Sequence, residues 1–207
     1  MLLAAGYAPR YRHTPLDDRA LVSVRAALNE LIRAHDPYPA LVVDRHWNLV
    51  MANAGAMELV GAVAPHLLDA PFNVYRATLH PDGMAPHVDN LEEWSHHLLA
   101  TLDRQVAVTR DPELRALLDE VSTYPNLAGP RSRWRTRSNI PTVVVPLRLR
   151  VPDGDGGTLV QSWFSTNTSI GTPADITLDE LHVELFHPAD EATAALVGGR
   201  TAPSPPG

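Results

Sequence analysis

Residues 41–61 combine two strand patterns, a tight turn and a capped helix in one short segment. Apolar side chains alternate with other residues before the turn at 44–46, and they alternate again from Trp47 to Met51. Because a period of two is typical of strands with one buried face, the segment predicts a β-hairpin. Asn53 comes next, where an asparagine side chain can accept from the first free N–H groups of a helix. The segment therefore predicts a hairpin followed by a capped helix.

Composition excludes several classes of function. The formal net charge is −7, whereas a protein that grips a nucleic-acid backbone needs a concentrated basic surface. The absence of cysteine excludes disulfides, Cys-ligated zinc, iron–sulfur clusters and a thiol nucleophile. No apolar run approaches the ~20 residues that cross a bilayer, and the N-terminal apolar run is too short for a signal peptide. We therefore expect a cytoplasmic protein that contacts neither DNA nor a membrane by itself.

The N-terminal part of the chain divides into two segments. Residues 1–15 contain prolines and show no periodicity, so we expect a connector there. From Asp17 to His35 apolar residues fall at helical spacing, which predicts an amphipathic helix. We expect this helix to contribute to a homodimer, because its apolar stripe lies between connector and core. The stripe consists of Leu21, Val24, Leu28, Leu31 and Ile32.

Further helices and strands are predicted downstream. Apolar stripes begin at Leu91 and Leu114, the second behind an Asp111-Pro112 helix start. Alternation over 143–151 predicts a strand, which we place at a sheet edge or a bulge because Pro146 lacks a donor for the ladder. The remaining pattern predicts a glycine-rich turn at 153–157 and a strand over 158–170. Residues 181–185 are predicted to form a last strand, with a helix as the alternative, and a short helix is predicted from Pro188.

A set of short motifs is spread over the chain. These are LLAAGYAP at 2–9, TPLD at 14–17, PALVVDRHW at 39–47, LHPDG at 79–83, NLEEW at 90–94, VVPLRLR at 144–150, GTP at 171–173 and FHPADE at 186–191. In this combination the chain resembles, over nearly its whole length, the MmyB-like ligand-binding domain of XRE-type helix-turn-helix regulators.

The resemblance implies an α+β fold, in which a PAS-like antiparallel sheet is covered by helices that enclose an apolar pocket. It implies three parts: a connector at 1–15 that follows a DNA-binding domain, a PAS-like ligand-binding domain at 16–197, and a tail at 198–207 that its composition predicts to be disordered. In such regulators a helix-turn-helix domain contacts DNA, and this chain begins where that domain would end.

The resemblance also implies a function. We expect an effector-binding and dimerising module whose partners are a small apolar or fatty-acid-like ligand and a second copy of the chain. We expect no catalysis, no cofactor and no metal, and DNA contact only through the helix-turn-helix domain that this chain lacks. The mechanism would be a population shift, in which the ligand favours one arrangement of the pocket helices.

Candidate pocket residues follow from their size and polarity. Large side chains could line a cavity or fill a core, and the sequence does not separate these two interpretations. Arg76 is our candidate for holding a ligand carboxylate, since a guanidinium offers two parallel donors. The apolar and aromatic candidates are Trp47, Phe72, Tyr75, Trp94, Leu98, Trp163 and Phe164.

Alternative interpretations remain at this stage. The domain could be a dimerisation module with a filled core, or a small hydrolase or isomerase that uses His80 and Asp82. His80, His87, His96 and His97 invite a metal hypothesis, although no HExxH spacing occurs. The arginines at 131–137, which flank Trp134, suit a solvated loop, an acidic partner or a phosphate.

Overall fold

The computed structural model describes residues 22–127, 145–169 and 181–201. The expectations for the connector at 1–15 and for the arginines at 131–137 lie outside these residues. The described helices are α1 (Val22–Arg33), α2 (Ala54–Val60), α3 (Val74–Leu79), α4 (Leu91–Thr109), α5 (Pro112–Val121) and α6 (Glu191–Thr201). The strands are β1 (Ala40–Val43), β2 (Leu49–Ala52), β3 (Leu147–Pro152), β4 (Thr158–Ser169) and β5 (His182–Pro188).

The five strands form one antiparallel sheet in the order β2-β1-β5-β4-β3. The last strand in sequence therefore lies at the centre of the sheet, between β1 and β4. Strand β3 is at an edge, which was one of the two alternatives predicted for it, but it begins after Pro146 rather than including that residue. The sheet and its helices confirm the predicted α+β, PAS-like fold, and β5 confirms the last strand rather than a helix.

The hairpin of β1 and β2 differs from its sequence pattern at Trp47. The carboxylate of Asp44 accepts from the backbone N–H groups of His46 and Asn48, both at 2.8 Å, and so closes the turn. Trp47 lies within this turn with a φ of 66°, in the left-handed region that non-glycine residues rarely occupy. The expectation that Trp47 starts β2 is therefore wrong, because the turn is two residues longer than its apolar pattern suggests.

The other predicted elements have simple local causes. Asp153 accepts from the backbone N–H groups of Asp155 and Gly157, and Gly154 and Gly156 take φ values of 90° and 89° in the β3–β4 turn. Helix α6 includes 198–201, which the composition had assigned to the tail. Among the described helices, none is both long and apolar enough to cross a membrane.

The core consists of three groups of buried side chains. Helices α3, α4 and α5 share one group, which includes the fully buried Leu99, Leu114 and Leu118. A second group joins α1 to β1 and β5 through Leu28 and Ile32. The third lies around β3, β4 and α6 and contains Trp94, Trp163, Leu147, Leu149, Phe186 and Val197. The second and third groups therefore pack helices against the sheet.

Asn53 connects three of these elements. Its side-chain oxygen accepts from the backbone N–H groups of Ala56 (3.0 Å) and Ala40 (2.8 Å), and its amide donates to the carbonyls of Ile32 (3.1 Å) and Tyr38 (2.8 Å). The predicted cap of α2 is confirmed, and the same side chain also ties α1 and β1 together. All four bonds are buried or partly buried, so each would leave an unsatisfied backbone group if it were lost.

We expect Asn53→Ala to lower the free energy of unfolding by about 2–4 kcal/mol, because it removes a helix cap and leaves buried backbone groups without hydrogen-bond partners. Urea denaturation followed by circular dichroism measures this loss. The control is Asn126→Ala, which removes one bond from an exposed asparagine to the Leu79 carbonyl and should cost less than about 1 kcal/mol. Equal losses in the two variants would show that Asn53 acts as an ordinary surface cap.

Candidate functional site: an apolar cavity with one polar wall

A cavity of about 330 Å³ lies between the sheet and the helices α2, α3 and α4. This volume is within the range of small-molecule sites, which are clefts lined mainly by apolar side chains. Helix α2 and the residues after it contribute small and branched apolar side chains, and α4 contributes one face. The apolar lining comprises Pro39, Leu41, Leu49, Ala52, Ala56, Leu59, Val60, Val63, Val74, Ala77, Met84, Leu147 and Phe186, together with the aromatic side chains described next.

Five of the eight candidate residues line this cavity. Tyr75 comes from α3, and Trp94 and Leu98 lie four residues apart on one face of α4. Trp47 comes from the β1–β2 turn, and Phe72 precedes Asn73, the residue that caps α3. The sequence alone did not show whether these residues fill a core or line a cavity, and in the structure they line the cavity.

Trp47 connects the cavity to α4. Its ring packs edge-on against Tyr75, with ring centres 5.0 Å apart, and its Nε1 donates to Oε1 of Gln105 at 2.8 Å. The adjacent His46 contacts carboxylates of Asp111 (3.0 Å) and Glu113 (3.2 Å) at the start of α5. The turn that contains His46 and Trp47 therefore contacts both α4 and α5.

Trp163 and Phe164 do not line the cavity. Trp163 is buried beside Leu147 in the third core group, and its ring lies edge-on to Tyr38. Phe164, the next residue on β4, stacks on His187 of β5 at 5.0 Å. Successive residues of a strand point to opposite faces, so these two side chains could not both face the cavity.

Arg76 also lies outside the cavity lining. Its guanidinium donates to both oxygens of Glu120 on α5, from Nε at 2.8 Å and from Nη2 at 2.7 Å. The hydrogen bond from Arg76 holds the pKa of Glu120 below its usual value, and the bond to Glu120 raises the pKa of Arg76. The structure thus gives Arg76 a bidentate carboxylate partner within the chain, which joins α3 to α5.

The polar part of the lining was not predicted from the sequence. Ser165 and Asn167 of β4 and Glu184 of β5 contribute to the cavity surface, and we call these three residues the polar wall. Residues 165–169 are all small and polar, so no alternation in the sequence singles out Ser165 and Asn167. Which face of the sheet carries the cavity was not readable from that pattern.

Polar groups of α4 also contribute to the lining. His97 and Thr101 face the cavity, and burial together with the charge of Arg104 lowers the pKa of His97. Arg104 itself is exposed and donates from Nη2 to the hydroxyl of Thr101 at 3.1 Å. It forms no ion pair among the described residues, and its positive charge lies next to a lining residue.

The histidine candidates do not form a site in this cavity. His97 lines the cavity, whereas His80 accepts from the backbone N–H of Asp82 at 3.0 Å and packs edge-on against Tyr124. His66, His80 and Asp82 bring possible ligand atoms within 4.8 Å of one another, which is a geometry that could hold a metal. Two of these three residues are exposed. The hydrolase or isomerase alternative used His80 and Asp82, and both residues lie outside the cavity lining.

Comparison with known proteins gives one strong match and several distant ones. A family model described as the MmyB-like transcription regulator ligand binding domain matches residues 24–197. No curated protein matches the chain.

Three of the solved structures that resemble the chain are light-oxygen-voltage (LOV) proteins, and their TM-scores are too low to support a functional argument. A LOV protein from Rhodobacter sphaeroides has 12% identity and a TM-score of 0.31, with 82% of this chain and 71% of that chain covered. A LOV domain studied with a flavin analogue has 11% identity and a TM-score of 0.30, with coverage of 90% and 97%. An RNA-binding LOV receptor has 15% identity and a TM-score of 0.32, with coverage of 89% and 38%.

The family match begins within α1, ends within α6, and includes every strand of the sheet and the whole cavity lining. The chain therefore belongs to the family of MmyB-like ligand-binding domains of transcription regulators.

Proposed function

We propose that this chain is the effector-binding and dimerising module of a transcription regulator, and that a small apolar, fatty-acid-like molecule occupies the cavity. The observation that carries the proposal is the apolar cavity of about 330 Å³ between sheet and helices. Small-molecule sites combine such a surface with a few polar groups, which is the composition of this lining.

Apolar burial would supply most of the affinity. At ~25 cal/mol per Å², burial of roughly 200 Å² of ligand surface contributes ~5 kcal/mol before the entropy of association is subtracted. No step of this role requires catalysis, and we propose a non-enzymatic domain. Its net charge of −7 supports a division of labour in which a helix-turn-helix domain contacts DNA.

The Trp47 turn is the element that we propose to respond to the ligand. A non-glycine residue in the left-handed region stores of order 1–3 kcal/mol, which the surrounding contacts must offset. Trp47 touches the cavity on one side and Gln105 of α4 on the other. A ligand that binds one position of the Trp47 ring better than another would therefore shift the arrangement of α4 and α5.

We propose that self-association through α1 uses only part of the apolar stripe that the sequence predicts. Leu28 is 3% exposed and Ile32 is buried, since both pack on the sheet of their own chain. Leu31 is 46% exposed and lies on the same side of α1 as the partly exposed Val24, seven residues earlier, and among the described residues of the stripe these are the side chains that remain for a second copy.

A larger side chain in the cavity lining should weaken ligand binding. We expect the uncharged fluorescent probe N-phenyl-1-naphthylamine to bind the wild-type protein saturably, and Leu59→Trp to weaken that binding at least tenfold, because the larger ring occupies the cavity. Val108→Trp is the matched control, since Val108 is 84% exposed on α4 and should leave affinity unchanged. Fluorescence titration measures the affinities.

Arg76→Ala serves as a second control in that titration. It should leave probe affinity unchanged while lowering the free energy of unfolding by about 0.5–1 kcal/mol, because it breaks a half-exposed bidentate ion pair. Unchanged binding in Leu59→Trp, or a probe that does not saturate, would contradict a ligand cavity and favour a filled dimerisation core.

Dimerisation has its own test. We expect Leu31→Glu to halve the mass measured by sedimentation equilibrium, because a charge replaces an exposed apolar side chain of the α1 stripe. Val108→Glu should leave the mass unchanged. A monomeric wild-type protein, or a Leu31→Glu variant that stays dimeric, would exclude α1 as the dimer contact.

A further inference from the structure

Two histidines and an aspartate lie together outside the cavity lining. His66 is in the helical turn Pro65–Leu67, and His80 and Asp82 are in the turn that follows α3. Nε2 of His66 is 3.7 Å from Oδ2 of Asp82, and Nδ1 of His80 is 3.9 Å from the same oxygen. The two imidazole rings meet edge-on, with ring centres 5.6 Å apart. Two nitrogen donors and one carboxylate therefore converge on one small volume.

The spacing of these groups is close to that of a zinc site. Zinc binds imidazole nitrogens and carboxylate oxygens at about 2.0–2.2 Å in a tetrahedral arrangement, so its ligand atoms lie roughly 3.3–3.6 Å from one another. Possible ligand atoms of the three residues all lie within 4.8 Å of one another. The two distances to Asp82 exceed the tetrahedral spacing by only a few tenths of an ångström. Small rotations of the exposed His66 and Asp82 side chains would close this gap.

Main-chain contacts hold the two turns in place. The N–H of Ala64 donates to the Asp82 carbonyl at 3.0 Å, and the N–H of Gly83 donates to the His80 carbonyl at 2.9 Å. Gly83 also lies so close to the carbonyl of Ala77 that a side chain there would collide with it. Because the backbone already fixes both turns, a ligand would not have to order them, which lowers the cost of binding.

His80 presents a defined ring nitrogen to this volume. Its Nδ1 accepts from the backbone N–H of Asp82 at 3.0 Å, so Nδ1 carries the lone pair of the neutral ring. An ion at Nδ1 would replace that N–H as the partner of the lone pair. The exchange costs little, because the bond is exposed and the released amide can bond to water. The ring itself is held from the other side by its edge-on contact with Tyr124.

We propose that His66, His80 and Asp82 bind a divalent transition-metal ion, and that zinc is the ion that fits these donors. Two imidazole nitrogens and one carboxylate oxygen suit zinc, whereas Mg²⁺ and Ca²⁺ prefer oxygen ligands. Water would complete the coordination, since the site is open to solvent. This proposal replaces the sequence-based expectation that no metal binds. It goes beyond the proposed function and does not depend on it, because none of the three residues lines the cavity.

A bound ion would join two segments that lead into the cavity wall. Val63 lines the cavity shortly before the Pro65–Leu67 turn, and Met84 lines it two residues after Asp82. Zinc would connect the two turns through side chains, in addition to the backbone bond from Ala64 to Asp82. Because an ion that binds only the folded protein stabilises it, zinc should raise the melting temperature.

Isothermal titration calorimetry of the full chain with zinc chloride tests the site. The wild type should bind one zinc ion saturably in the micromolar range, and magnesium chloride should give no binding. His66→Gln and Asp82→Asn should each weaken zinc binding at least tenfold, because each alters one ligand; both side chains are exposed, so the fold should be unaffected. His87→Gln is the matched control, since it changes an exposed histidine outside the site and should leave zinc affinity unchanged.

Thermal unfolding followed by circular dichroism, with and without zinc, gives a second readout. Zinc should raise the Tm of the wild type and of His87→Gln by the same amount, and it should leave the Tm of His66→Gln unchanged. If His66 and Asp82 formed only a surface ion pair, their substitution would not alter the response to zinc.

Three results would overturn the inference. Zinc binding that does not saturate in the micromolar range would show unspecific association with an acidic protein. Tight zinc binding retained by both His66→Gln and Asp82→Asn would place the ion elsewhere, and equally tight binding of magnesium would indicate an ordinary carboxylate contact. The proposed function is tested separately by the affinity for N-phenyl-1-naphthylamine, so a failure of the metal site and a failure of the cavity are distinguishable.

Discussion

Four hydrogen bonds from one buried side chain, Asn53, position the elements on which the cavity depends. The accepted bonds start α2 and hold the first residue of β1, and the donated bonds end α1 and fix the turn before β1. Gly55 adds a steric condition, since a side chain there would collide with the carbonyl of Pro37. Helix α2 is therefore held in one position, from which Ala56, Leu59 and Val60 form one side of the cavity.

The opposite side depends on the arrangement of strands. Because the last strand inserts between β1 and β4, Glu184 faces the same space as residues of the first hairpin, far away in sequence. A sheet covered on one face by helices leaves space wherever the side chains opposite are small. Here Ser165 and Asn167 contribute short side chains to that space, and they make one side of the cavity polar.

The charged groups near the cavity differ in their surroundings. Arg104 is exposed and donates to Thr101 of the lining, whereas Glu184 is part of the lining itself. The pairing of Arg76 with Glu120 removes the arginine that sequence reasoning had favoured as the partner of a ligand carboxylate.

Local signals allowed much of the fold to be predicted. The cap at Asn53, the helix start at Asp111-Pro112 and the glycine turn at 153–157 each depend on a few adjacent residues, so they are visible without tertiary contacts. The position of β3 at an edge was one of the two alternatives that the missing donor of Pro146 predicted. The apolar stripe of α4, which includes Trp94 and Leu98, was identified because helical spacing marks a covered face.

Only the tertiary structure decided how the site is composed. Arg76 met Glu120, and Trp47 met Gln105, across long separations in sequence that no periodicity reports. The alternation of β4 showed that Trp163 and Phe164 face opposite ways, but not which face carries the cavity. That choice depends on which elements cover the sheet and how closely they pack. The sequence alone therefore determined which segments form helices and strands, and the packing between them determined that Glu184, rather than Arg76, lines the cavity.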